Sequence, residues 1–99
     1  MDGSIAERVQ RAREQDERAF QSLVHEHYAM ALAYGLSLLR DLGRAEDAVQ
    51  EAFVEVHRSL SSLEDPTAFA AWLKSIVRHR CLRQWSRRDL NSSEALLMQ

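Results

Sequence analysis

Residues 74–88, KSIVRHRCLRQWSRR, hold six cations and no acid in a chain whose net charge is −2. Lys74, Arg78, Arg80, Arg83, Arg87 and Arg88 are more than a helix end needs, because the macrodipole favours only the cations of the last turn. Set on several sides of a helix, they repel one another until something negative approaches. Phosphates answer that need and release counterions as they bind. Leu82 and Trp85 stand among the cations, and an aromatic ring there suits base stacking on a single strand. Recognition of nucleic acid is the chemistry this segment fits best, ahead of a merely solvated basic helix end.

A second pattern is acidic. Asp47, Gln50, Glu51 and Glu55 fall at i, i+3, i+4 and i+8, which puts them on one helix stripe. Val54 sits among them as an exposed apolar contact would. The stripe suits a basic partner helix; its plain alternative is the solvated side of an ordinary helix. No comparable case exists for catalysis. There is no Gly-rich phosphate loop and no nucleophile–base pattern. His25 and His27 are two apart, as are His79 and Cys81, so neither pair shares a helix face. The histidines read as surface or half-buried residues. Cys81 lines up with Val77 and Trp85 at four-residue spacing, as a small core residue would. No metal, no cofactor and no enzymatic activity are expected.

The bulk numbers agree with a small binding domain. Ninety-nine residues make one domain with a modest core. A single cysteine permits no disulfide within the chain and fits a reducing compartment. The charged N-terminus is no secretory signal, and YAMALAYGLSLL is too short to span a bilayer, so a cytoplasmic location is expected without membrane insertion. Residues 1–73 hold 7 basic and 13 acidic side chains, so the positive charge of 74–88 is segregated from an acidic remainder.

The elements that must position these groups all read as helices. The fold class is all-α, a compact bundle of three main helices plus a short N-terminal one. Ser4 and Glu7 have capping-box spacing and predict a first helix to about Glu14, with a thin stripe of Ile5, Val9 and Ala12. Asp16 caps a second helix. Its apolar stripes are Phe20, Val24, His27, Ala31, Gly35, Leu38 and Leu42 on one side and Tyr28, Leu32, Leu36 and Leu39 on another, with Gly43 placed to end it. A third helix from about Arg44 to Leu63 buries Ala45, Val49, Ala52, Phe53, Val56, Leu60 and Leu63. Asp65 and Pro66 then start a fourth, running to about Arg88, whose first half is anchored by Phe69, Trp72, Leu73, Ile76 and Val77. Asn91 and Glu94 have the spacing of a new capping box. The expected organisation is a short N-terminal helix or extension over residues 1–15, the helical domain over 16–88, and the start of a truncated linker over 89–99.

RAEDAVQEAFVEVHRSL followed by FAAWLKSIVRHRCLRQWSRR, with DERAFQSLVHEHY before them, resembles region 2 of the sigma-70 family, specifically its extracytoplasmic-function group of bacterial transcription initiation factors. The likeness covers roughly residues 16–88. It implies that the helix over 44–60 docks on the clamp helices of the β′ subunit of the RNA polymerase core, through Asp47, Gln50 and Glu51 with Phe53 packing beneath; Val54 and Glu55 join this polymerase-binding set by their place on the same stripe. It implies that the helix over 66–88 recognises and helps melt the promoter −10 element on the non-template strand, through Lys74, Arg78, His79, Arg80, Arg83, Gln84, Arg87 and Arg88. The turn before it, with Ser62, Glu64, Asp65 and Thr67, would hold a flipped-out base, whose extrusion costs a few kcal/mol. An anti-sigma factor is a further implied partner.

Departures mark the promoter-reading helix. His79 stands where the family usually has Asn, Arg83 where it often has Asp, and His57 where it often has Trp, so base preference does not carry over. Trp72 is followed by Leu73, and this sparse aromatic set makes Trp72 a core candidate. The family's second helical domain, region 4, has no counterpart after Arg88, which fits a region 2 cut from a longer protein. The rival reading is a helical interaction module, an adaptor or a decoy for an anti-sigma factor, without promoter activity.

Overall fold

The computed structural model describes the backbone of residues 3–97 and the side chains of residues 3–86. It is all-α: α1 (Ile5–Arg13), α2 (Glu17–Leu39), α3 (Leu42–Ser59) and α4 (Phe69–Leu97), with short 3-10 turns at Leu60–Ser62 and Pro66–Ala68 between the last two. No strand occurs among the described residues. The helices α2, α3 and α4 pack against one another, and α1 lies on α2 and the two 3-10 turns.

The starts of the helices are set by local chemistry. Ser4 Oγ accepts from the Glu7 amide at 3.2 Å. Asp16 accepts from the amides of Arg18 and Ala19 at 3.1 and 3.2 Å. Each side chain satisfies an amide that the first helical turn leaves without a carbonyl partner. The α2–α3 corner differs from the expectation. Gly43 does not end α2; it lies inside α3. Arg40 takes the left-handed C-cap conformation instead, with φ 54° and its N–H on the Leu36 carbonyl. Asp41 then caps α3 by accepting from the Arg44 amide at 3.0 Å. An aspartate N-cap directly after a left-handed residue closes the corner two residues earlier than glycine would. Leu42, expected in the α2 stripe, is consequently 54% exposed at the start of α3.

The core forms where α2, α3 and α4 meet. Helix α2 contributes Leu23, His27, Ala31, Gly35 and Leu39, one residue per turn. Phe20 and Val24, read as part of that stripe, are only partly buried, and Leu23 takes the inward place. All of Ala45, Val49, Ala52, Phe53, Val56, Leu60 and Leu63 are buried as expected. So are Phe69, Leu73, Ile76, Val77 and Cys81 of α4, while Trp85, the next residue in that register, is 50% exposed. Burial pushes the Cys81 thiol up from its ordinary pKa, as fits a core residue.

Both charged and apolar side chains tie α1 to the rest of the bundle. Val9 is fully buried. Arg8, itself buried, donates to Ser22 Oγ at 3.0 Å and pairs with Glu26. Arg13 Nε donates to the Leu60 carbonyl at 3.2 Å, tying α1 to the turn after α3.

Gly35 is buried on α2 where it faces both α3 and α4. A Cβ there would meet Cys81 Sγ and Val49 Cγ2 at 3.6 Å and Ala45 Cβ at 3.7 Å, all ordinary van der Waals distances. A mid-helix glycine costs about 0.5–1 kcal/mol relative to alanine. Gly35→Ala is therefore expected to stabilise the domain by about that amount, read from the urea midpoint at unchanged slope.

The expected break after Arg88 is absent, since α4 continues through Leu97 with Asn91 inside it. No glycine or proline follows Pro66, so nothing in the sequence stops the backbone ladder there.

Candidate nucleic-acid and protein interface

Two chemically opposite faces lie on adjacent helices. On α3, Asp47, Gln50 and Val54 are exposed, with Val54 at 52%, while Glu51 and Glu55 are half-buried beside them. On α4, Lys74, Arg78, His79 and Arg83 are exposed, and Arg80 and Gln84 are half-buried. The side chains of Arg87 and Arg88 lie outside the described ones.

The faces meet at a seam. Arg80 Nε lies 3.5 Å from Glu55 Oε2, so one residue of each sequence-predicted set pairs with the other. Lys74 also turns toward the bundle: its Nζ stands 4.7 Å from the centre of the Tyr34 ring of α2, in cation–π geometry. Of the described cations on α4, this leaves Arg78 and Arg83 pointing most freely into solvent.

A groove of about 810 Å³ opens beside Val54. Its walls are Phe20, Val24 and Tyr28 of α2 and Phe53, Val54 and His57 of α3. The aromatic rings shape it. Tyr28 stacks on Phe53 with centroids 6.3 Å apart, and Phe20 meets His57 edge-on at 4.8 Å. His57 thus fills an aromatic packing role, with Nε2 3.4 Å from Glu17 Oε1. No carboxylate lines the groove, although the acidic stripe runs beside it. Composition alone did not reveal it, because Phe20 and Val24 read as core.

The turn between α3 and α4 is held by its own polar groups. Ser62 Oγ donates to the Ser59 carbonyl at 2.6 Å. Asp65 accepts from the Thr67 hydroxyl at 2.7 Å and from the Thr67 amide at 3.0 Å. These two bonds, the hydroxyl first, hold the Asp65 carboxyl below its ordinary pKa. The turn is therefore kept in shape at neutral pH by an ionised aspartate. Glu64 is exposed beside it.

Next to this turn is a smaller pocket of about 340 Å³, lined by Glu55, Ser59, Ser62, Trp72, Ser75, Ile76 and His79. It brings together one predicted residue from each set: Glu55 of α3, Ser62 of the turn and His79 of α4. Trp72 belongs to it as well as to the core, half-buried with its ring centroid 6.2 Å from that of Phe69. Trp72, Ser75 and His79 share a face of α4 at i, i+3 and i+7, and that spacing was available in the sequence. Asp65 and Thr67 do not line this pocket.

The histidines stay apart. His27 is buried, deeper than expected, with Nδ1 2.7 Å from the Leu23 carbonyl and its ring edge-on to Phe69 at 4.9 Å. His25 is on the groove wall. Among the described residues, no three His, Cys, Asp or Glu side chains are grouped to hold a metal ion. Nor is any helix among them long and apolar enough to cross a membrane.

The sequence that builds this bundle matches a known family. Residues 23–90 match Sigma-70 region 2. The chain belongs to the sigma-70 region 2 family. This sigma region 2 domain is 36% identical over 76 residues to the RNA polymerase sigma-H factor of Pseudomonas aeruginosa, an overlap of 77% of this chain and 38% of that protein. It is 38% identical over 55 residues to the probable RNA polymerase sigma factor RfaY of Xanthomonas campestris, covering 56% of this chain and 14% of that protein. The sigma region 2 domain thus spans well under half the length of these curated relatives. No solved structure matches it.

Proposed function

We propose that the chain is region 2 of an extracytoplasmic-function sigma factor, that α3 docks on the β′ clamp helices of the polymerase core, and that α4 reads the non-template strand of the −10 element and helps melt it. The separation of the faces carries this reading. Asp47, Gln50 and Val54 project from α3, Arg78, His79 and Arg83 project from α4, and the Glu55–Arg80 pair sits at the seam. One helix suits a partner with positive charge and an apolar anchor; its neighbour suits phosphate.

On the protein side, exposed Val54 at the rim of the groove is the apolar centre such an interface needs, with Asp47 and Gln50 as its polar rim. An anti-sigma factor would compete for the same surface. On the DNA side, the pocket of Trp72, Ser75, His79 and Ser62 is where an extruded base would be received, with Trp72 offering a ring face and the hydroxyls offering polar contacts. Asp65 and Thr67 serve by fixing the turn, and Glu64 by its exposure next to it.

The test is binding of single-stranded −10 oligonucleotide across a salt series. Arg78→Ala combined with Arg83→Ala is expected to lower affinity about tenfold or more and to flatten the log–log salt slope by about 1.4, two phosphate contacts at about 0.7 each on a single strand. Both side chains are exposed, so the fold should survive. An unchanged slope, or wild-type binding that ignores salt, would defeat the phosphate assignment.

A further inference from the structure

Beyond the −10 pocket, the α2–α3 corner carries a second concave surface. It has a volume of about 650 Å³ and is lined by Ser37, Leu38, Leu39, Arg40, Arg44 and Trp85. We propose that it is a second nucleic-acid site, in which Arg40 and Arg44 hold a backbone phosphate and Trp85 stacks on the adjoining base. The proposal rests on the reading of α4 as a DNA-binding helix and extends the path of the strand along it.

Charge is the first support. Two guanidinium groups line the pocket and no carboxylate does. The adjacent acid, Asp41, is occupied in capping α3, and its Oδ2 lies 3.9 Å from Arg44 Nε, the outer limit of an ion pair. Arg44 is therefore not held in a close ion pair with it.

Trp85 is the second. It follows Val77 and Cys81 in the same register of α4, and both of those are buried to within 1%. Trp85 instead leaves half its surface in water, in the pocket that it lines with the two arginines of the corner. An aromatic face flanked by cations is the arrangement on which bases stack with little regard to sequence.

The third is the backbone of Arg40. Its φ of 54° lies in the left-handed region, which is unfavourable for residues with a Cβ and easy for glycine. Glycine does occur in this segment, at Gly43, where α3 does not require it. Arginine thus stands where glycine would be less strained, and its side chain lines the pocket at that cost in stability.

Distance fixes what must bind. Trp85 is 16 residues beyond Phe69, about 24 Å along the helix at 1.5 Å per residue. That is at most about seven nucleotides at the 3.4 Å spacing of a stacked strand, and fewer for an extended one. A strand seated at the α3–α4 turn therefore runs along Arg78 and Arg83 before it reaches the corner.

Because stacking is sequence-tolerant, a length ladder of fluorescein-labelled oligo-dT, from about 6 to about 18 nucleotides, reads the site at low salt. Affinity should step up once the oligonucleotide spans both sites. Trp85→Ala and Arg40→Gly should each remove roughly tenfold from binding of the long oligonucleotide and little from the short one. Arg40→Gly should also raise the melting temperature, because it relieves the left-handed strain; higher stability with lower affinity is a signature that a structural role would not produce. If the length step is missing, or both variants bind the long strand like wild type while Arg78→Ala weakens binding at every length, the corner site is wrong and the α4 reading stands. If Arg78→Ala is also without effect, both fail. A Trp85→Ala change in sedimentation with no change in DNA affinity would make the corner a protein contact and overturn the proposal.

Discussion

Phe69→Ala is expected to remove most of the domain's stability. Phe69 is fully buried where α4 begins, and its ring meets the buried His27 edge-on at 4.9 Å and lies beside Trp72 at 6.2 Å. Truncation would lose the transfer free energy of the ring and leave a cavity joining α2 to α4, about 3–5 kcal/mol together. A small domain holds about 5–15 kcal/mol in all, and a chain of this length belongs at the low end. Urea denaturation followed by circular dichroism should show the midpoint collapse. A loss below about 1 kcal/mol would mean that the α2–α4 contact repacks without it. The consequence for function is direct, because Phe69 sets the start of the helix that carries Trp72, Arg78 and His79. Loosening it blurs the pocket beside the α3–α4 turn before it unfolds the bundle.

Val54→Arg is expected to lower affinity for the polymerase core about 100-fold, or about 2.8 kcal/mol, without unfolding the protein. Val54 is 52% exposed, so the folded state gives up little apolar contact, and stability should move by no more than about 0.5 kcal/mol. On the proposed reading, however, it is the apolar centre of the docking face. Arginine there would lose that anchor and set a cation against a basic partner helix. Asp47→Ala and Gln50→Ala, at the rim, should weaken binding by less. Competition binding to purified core polymerase checks all three. If Val54→Arg binds like wild type while the protein remains folded, the partner does not sit on α3.

These effects rest on faces that the sequence revealed unevenly. The buried stripe from Ala45 to Leu63 was legible apart from Ala48, because that segment is apolar on one side only and its rotational phase has one solution, although α3 itself ends at Ser59 and a 3-10 turn carries Leu60. Helix α2 is apolar around much of its circumference, so its phase could not be read from period alone. The sequence pattern put Phe20 and Val24 inward, whereas the packed bundle turns Leu23 to the core and leaves those two to wall the groove. The corner was misread for a local reason. Gly43 is the usual signal for a helix end, but Asp41 capped α3 ahead of it and Arg40 accepted the left-handed turn. The motifs themselves were plain, and so was the opposition of an acidic α3 to a basic α4.

By itself the sequence determined the all-α class, the caps at Ser4, Asp16 and Asp65, and the charge of each helix face, since all of these depend on neighbours within one or two turns. Tertiary structure alone decided that Glu55 meets Arg80, that Lys74 leans on Tyr34, and that Trp85 stands in the open beside Arg40 and Arg44. Each of those relations joins residues on different helices. Their distances depend on how α4 folds back along α3 and α2, which is set by burying Phe69, Leu73 and Val77 together, not by the spacing of any one segment.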